Sequence, residues 1–175
     1  IFKVGGIQAI AGMTFGTESI PKVYKIFGPG NQYVTVAKQL ATKYGVAIDM
    51  PAGPSELLVV ADDSANAAFV ASDLLSQAEH GVDSQVILVS TSEKLIDAVE
   101  KEIQDQIQQL PRAEIASRSI CNSKLILVKN AEEALGLINE YGPEHYIVCV
   151  ENENYYLENT MNAGSVFIGN FTPES

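Results

Sequence analysis

The sequence is short of the residues that staple, span or grip polyanions. Two cysteines, Cys121 and Cys149, lie far apart and form no CxxC pair, which argues against a disulfide framework and against a cysteine zinc site; both read as reduced thiols. Eleven basic residues stand against 22 acidic ones, a net charge of −11. Such a surface repels phosphate backbones and anionic lipid, so nucleic acid is not an expected partner. No apolar run approaches the roughly 20 residues of a membrane helix, and no basic segment followed by a hydrophobic stretch opens the chain. No membrane role is expected, and a cytoplasmic location is the default. Internal repeats and low-complexity tracts are also lacking. The first residue is not methionine, and Thr172–Ser175 directly follow a predicted strand; a piece of a longer polypeptide is therefore expected. What remains is apolar enough, at 46% of 175 residues, to bury the core of one domain or two small ones.

Along the chain, strand and helix signals alternate. Gly5–Ala11 is a small-residue stretch that feeds a short helix and lets backbone approach a ligand. Lys22–Phe27 reads as a strand stopped by Gly28-Pro29-Gly30-Asn31, and Asn31 is placed to cap a helix over Tyr33–Tyr44. Ala47–Met50 is a further short strand. Pro51-Ala52-Gly53-Pro54-Ser55-Glu56 marks a junction before the apolar strand Leu57–Ala61, and a domain boundary is expected there, between residues 1–56 and 57–175. Asp63 or Ser64 then caps a helix from about Ala65 to His80, ended by Gly81. Strand Gln85–Val89, helix Ser92–Leu110 stopped by Pro111, strand Lys124–Val128, a helix from Asn130 to Tyr141, strand Tyr146–Val150, a short helix Tyr155–Met161 and strand Ser165–Ile168 complete the series. This alternation predicts an α/β fold with mostly parallel sheets flanked by helices. Ligands of such folds bind beyond the carboxyl ends of strands, which points to the turns after Phe27 and Met50 and to the neighbourhood of Glu144.

Histidine is as scarce as cysteine. The two present, His80 and His145, each follow a glutamate. On the helix from about Ala65 to His80, Gln77 and His80 are three residues apart and share a face, so an amide oxygen and an imidazole nitrogen can offer a divalent metal two ligands. A closed zinc site needs about four, and a histidine that only hydrogen-bonds at a helix end has the same spacing. Gly142-Pro143-Glu144-His145 sets an acid beside an imidazole in a rigid turn, suited to proton transfer and to activating water, or equally to a solvated acid and a structural histidine. Gly28–Asn31 offers an anion the start of a helix, but it is not a GxGxxG fingerprint and also reads as a plain tight turn. Ser55 either donates to a substrate group or stabilises its turn.

Together, Phe27–Asn31, Ala47–Glu56, Asp73–Gly81 and Tyr141–His145 resemble the histidinol dehydrogenases, in order, in spacing and nearly end to end. The resemblance implies a cytoplasmic, homodimeric, zinc- and NAD-dependent enzyme that oxidises L-histidinol through L-histidinal to L-histidine. It implies that Gln77 and His80 are zinc ligands, that His145 is the base for the hydroxyl proton and that Glu144 activates water. It further implies that Ser55 contacts substrate, as do Gln77, His80, Glu144 and His145, and that Gln8 and Asn31 contact NAD. The fold implied is portions of two incomplete Rossmann-like units, residues 1–56 being the second half of an NAD-binding one and 57–175 the second half of one carrying zinc and catalytic residues. Two further zinc ligands of the family, an aspartate and a histidine, and an NAD-contacting tyrosine belong to sequence outside this chain, so the chain alone is expected to bind zinc poorly and to turn over no substrate.

Three other readings compete. A non-catalytic binding module would use the Glu-His pairs structurally. A dehydrogenase of another amino or sulfonated alcohol would keep the chemistry and change the substrate. An aldehyde dehydrogenase with a cysteine nucleophile fits least, because neither cysteine sits beside a base or a helix start.

Overall fold

The computed structural model describes residues 1–49 and 56–173. Two compact units divide the chain, at residues 53 and 54. The expected substrate contact Ser55 lies outside the described residues.

The first unit is built around a minimal parallel pair. Helix α1 (Gly6–Phe15) leads to strand β1 (Lys25–Ile26), helix α2 (Gln32–Thr42) and strand β2 (Ala47–Ile48), with Lys25 opposite Ala47 and Ile26 opposite Ile48. Asn31 caps α2 as expected, its Oδ1 accepting the amide of Val34. Ile10, Ile26, Ala41 and Val46 form the small core. The strand expected over Lys22–Phe27 shrinks to two residues: the Val23 amide turns to the carbonyl of Met13 in α1, and a strand with a single short partner keeps only the ladder bonds that partner supplies.

The second unit holds a five-stranded, wholly parallel sheet, order β5-β4-β3-β6-β7, made of β3 (Glu56–Ala61), β4 (Gln85–Ser90), β5 (Lys124–Leu127), β6 (His145–Cys149) and β7 (Ser165–Ile168). Alternate side chains sort into two cores. Leu57, Val59, Ala61, Val86, Leu88, Ile147 and Cys149 pack with helices α3 (Ala67–Ala78), α4 (Glu93–Ile107) and α5 (Ala113–Cys121). Leu58, Val60, Ile87, Val89, Tyr146 and Val148 pack with α6 (Ala131–Tyr141) and α7 (Glu153–Asn159). Both faces are covered, which is why these strands read as unbroken apolar runs. The chain winds outward from β3 through β4 to β5, then returns to build β6 and β7 on the other side, so that strand order reverses between β3 and β6.

Two expected details differ. Helix α3 is capped by Asn66, whose Oδ1 accepts the amide of Ala68 at 3.0 Å, not by Asp63 or Ser64. Those residues are engaged elsewhere: Asp62 accepts the amide and hydroxyl of Ser64, and Asp63 accepts the hydroxyl of Ser92. The long helix expected over Ser92–Leu110 ends at Ile107 and is followed by α5, which sequence reading passes over. Its stripe is weak because one of its inward positions is polar: Ser119 is fully buried and donates to the carbonyl of Ser84 at 2.8 Å.

Candidate functional site

In a parallel sheet that reverses between two strands, the crevice beyond their carboxyl ends is the ordinary place for a ligand. Here that crevice is bridged. Asp62, just past β3, donates its amide to the carbonyl of Cys149 at the end of β6 and accepts the amide of Glu151 at 3.0 Å. Burial pushes its carboxyl up, but the hydrogen bonds from Ser64 and Glu151 outweigh it and leave the pKa lowered. Residues singled out from the sequence lie at the opposite edge. Glu144 and His145 begin β6, and Gln77 and His80 stand at the end of α3, which runs back across the sheet to the start of β4. For Glu144 the expected carboxyl-end location is thus corrected: a turn that precedes a strand sits at its amino end.

His145 is the first residue of β6, flanked by Leu57 on β3 and Ser165 on β7. Since alternate side chains share a face, His145 lies on the side of Ile147 and Cys149, the side covered by α3. Its ring is 6.3 Å, centroid to centroid, from that of Phe167 on β7. Gln77 is almost wholly buried on α3, whereas His80, beyond the Glu79 cap, is exposed. The fold therefore brings Gln77, near the end of α3, and His145, at the start of β6, to one face and one edge of the sheet.

The turn before β6 is fixed by two glycines. Gly142 ends α6 in the left-handed conformation, φ 62°, with its amide on the carbonyl of Ile138. Gly164 lies so close that a Cβ there would meet the carbonyl oxygen of Glu144 at 2.5 Å. Its amide donates to Pro143, and that of Ser165 to Glu144, at 2.9 and 2.8 Å. Glu144 itself is exposed.

Sequence reading missed Glu56. Because Leu57 pairs with His145, Glu56 stands beside Glu144 across the strand gap. Its carboxyl is pushed up by burial and then by the charge of Glu144. Tyr141 closes the same edge by donating to Gln85 Oε1 at 2.9 Å; burial, then the charge of Glu56, pushes its phenol up to about 12. Only the strand register reveals this neighbour of Glu144.

The buried thiol of Cys149 is pushed up to about 12 by burial and by Asp73, Glu153 and Asp62. It is no thiolate nucleophile at neutral pH.

In the first unit the rings of Phe15 and Tyr44, at the ends of α1 and α2, meet edge to face at 4.8 Å. Gln8 and Tyr33, near the starts of the same helices, line one groove with them. The helices thus run side by side with their amino ends together, and those ends carry Gln8 and Asn31, both exposed. The preceding turn is held by residues the sequence reading also passed over: Asp49 accepts the Gly28 amide, and Lys38 donates to the Gly28 carbonyl.

As a zinc site, Gln77 and His80 offer chemically suitable donors but too few. Among the described residues no three His, Cys, Asp or Glu side chains converge on a point that could hold a metal, so complete coordination needs ligands beyond the described residues.

The family model for histidinol dehydrogenase matches residues 1–175. The chain belongs to the histidinol dehydrogenase family. It is 66% identical over 175 residues to the histidinol dehydrogenase of Bacteroides thetaiotaomicron and 58% identical over 177 to that of Colwellia psychrerythraea, covering all of this chain and 41% of each relative. The crystal structure of the histidinol dehydrogenase from Elizabethkingia anophelis matches 99% of this chain and 40% of its own length, at 56% identity and a TM-score of 0.94. The chain thus spans about two fifths of the length of its relatives. Gamma-glutamyl phosphate reductase of Thermotoga maritima, at 14% identity and a TM-score of 0.53, covers 92% of this chain and 44% of its own and shares the fold alone. The α/β architecture of mostly parallel sheets flanked by helices is thereby a family feature.

Proposed function

We propose that this chain is the central segment of a histidinol dehydrogenase that oxidises L-histidinol to L-histidinal and then to L-histidine, acting as a cytoplasmic homodimer. NAD would accept the hydride of each oxidation, and zinc, for which Gln77 and His80 would supply two of the ligands, would offer a positive centre for the substrate's nitrogens. The observation that carries the reading is the family match over residues 1–175, joined to a sheet edge where Glu144 and His145 open β6 and Gln77 stands near the end of α3.

The residues divide the proton work. His145, half-buried against Phe167, takes the hydroxyl proton in the first oxidation, the work of a positioned general base. Glu144, exposed at the turn, draws a proton from the water that attacks the aldehyde carbon, so that the hydrate can be oxidised to the carboxylate. Ser55 contacts the substrate; Gln8 and Asn31 meet the dinucleotide at the paired helix starts. Residues 1–56 and 57–175 are, on this reading, the second halves of two Rossmann-like units. One turnover would consume one L-histidinol, two NAD and one water and release one L-histidine, two NADH and three protons.

The test is NADH formation by the full-length polypeptide with L-histidinol and zinc. His145→Ala lowers turnover by about 10²–10⁴, the usual contribution of a positioned general base, and a chelator abolishes it. Glu144→Gln accumulates the aldehyde. The isolated 175-residue chain gives no NADH. No turnover of L-histidinol by a folded, zinc-loaded polypeptide would overturn the assignment in favour of another alcohol or a binding role.

A further inference from the structure

Lysine on a small helical unit ordinarily reaches into water, yet the side chain of Lys38 on α2 is only 6% exposed. Burying an ammonium costs several kcal/mol unless it is paired and hydrogen-bonded. Lys38 meets that cost with two partners: Nζ donates to the carbonyl of Gly28 at 2.7 Å and pairs with the carboxylate of Asp49. The second oxygen of Asp49 accepts the amide of Gly28 at 2.8 Å. One residue of the turn is therefore gripped at both of its backbone groups, by side chains from the helix after it and from the end of β2.

That residue opens the Gly28-Pro29-Gly30-Asn31 turn. Gly28 has φ 144°, a conformation available at little cost only to glycine. At the other end, Asn31 is fixed by its cap to Val34 and by its carbonyl, which accepts the amide of Thr35 at 2.9 Å. Gly30 lies so close to Val34 that a Cβ would overlap that side chain. Packing needs none of this charge, since the core of the unit is Ile10, Ile26, Ala41 and Val46. An apolar pair would fill the same space at least as stably. The charged pair differs in one respect: it fixes the turn rather than merely covering it.

We propose that Lys38 and Asp49 are positioning residues that set affinity for the nicotinamide dinucleotide by clamping Gly28, and through it the turn that presents Asn31. This rests on the reading that Asn31 contacts NAD. Neither side chain touches the cofactor. Each charge of the pair is spent on the other, so Lys38 is not a phosphate ligand.

The test uses the full-length polypeptide, with dissociation constants for NAD and for L-histidinol measured separately by calorimetry. The double variant Lys38→Met/Asp49→Leu avoids leaving a lone buried charge. It is expected to fold, to weaken NAD binding on the order of tenfold or more, to leave L-histidinol binding unchanged, and to speed hydrogen exchange at the Gly28 amide. Lys38→Arg, which keeps a donor and the pair, recovers most of the NAD affinity. Unchanged NAD affinity in the folded double variant, with the parent binding NAD, overturns the clamp alone. Equal loss of NAD and L-histidinol binding also overturns it, by showing general damage. Failure of the parent to bind NAD at all removes the cofactor reading, and the clamp with it.

Discussion

At the scale of single residues, two carboxylates report opposite environments. Asp49 is lowered by the Gly28 amide and by Lys38, so the support it gives is present above the ordinary carboxylate range and is lost as pH falls through its depressed value. Glu56 is raised by burial and by Glu144, and the sign reverses. Ionising it costs the folded state more than the unfolded one, so its burden is absent at low pH and grows as pH rises through the raised value. Glu56→Gln in the full-length polypeptide is therefore expected to be more stable than the parent at pH 7, with the gain vanishing below about pH 4. Denaturant midpoints measured across pH check this. A variant less stable than the parent at pH 7 would show that the carboxylate of Glu56 makes a favourable contact stronger than its repulsion from Glu144.

Among the elements, the turn between α6 and β6 depends most on one missing side chain. Gly164 packs its Cα against the backbone of Glu144, and the amides of Gly164 and Ser165 donate to the carbonyls of Pro143 and Glu144. A methyl group there must push on backbone, which does not yield as a flexible side chain does. Gly164→Ala is expected to cost about 1–3 kcal/mol in stability and to lower kcat by moving Glu144, while the KM for NAD is unchanged. Wild-type stability and kcat in this variant would mean that the turn relaxes freely. The caps behave differently, being local: Asn31, Ser92 and Asn130 each accept an amide three residues on, and all three stand at helix starts read from the sequence. Asn66 was missed because the caps read from the sequence are engaged elsewhere: Ser64 donates to Asp62, and Asp63 accepts the hydroxyl of Ser92, 29 residues away.

Across the whole molecule the two units differ in how much structure holds them. The second unit buries both faces of a five-stranded sheet under helices. Among the described residues the first relies on four ladder residues and four buried apolar side chains, and it exposes Phe15, Tyr33, Val36, Leu40 and Tyr44 along α1 and α2. Local opening takes least free energy where few apolar contacts and few protected backbone bonds must break. In the isolated 175-residue chain, amides of β1, α2 and β2 are expected to exchange well before those of β3, β4 and β6, as native-state hydrogen exchange will measure. Uniform protection across the chain would refute that difference.

The sequence by itself determined the alternation of strands and helices, because hydrophobic runs, caps and glycine stops are local signals. It also determined the family, because four motifs keep their order and spacing over the whole chain. What it left open was which strands become neighbours. Parallel strands pair only after a crossover, so register rests on contacts between residues far apart in sequence. Tertiary structure alone sets Glu56 beside Glu144, brings His145 to the face covered by α3, and moves that site to the amino edge of the sheet while Asp62 bridges the other. The same holds for Lys38: nothing in the sequence of α2 marks a lysine as buried, and only the return of β2 brings Asp49 within its reach.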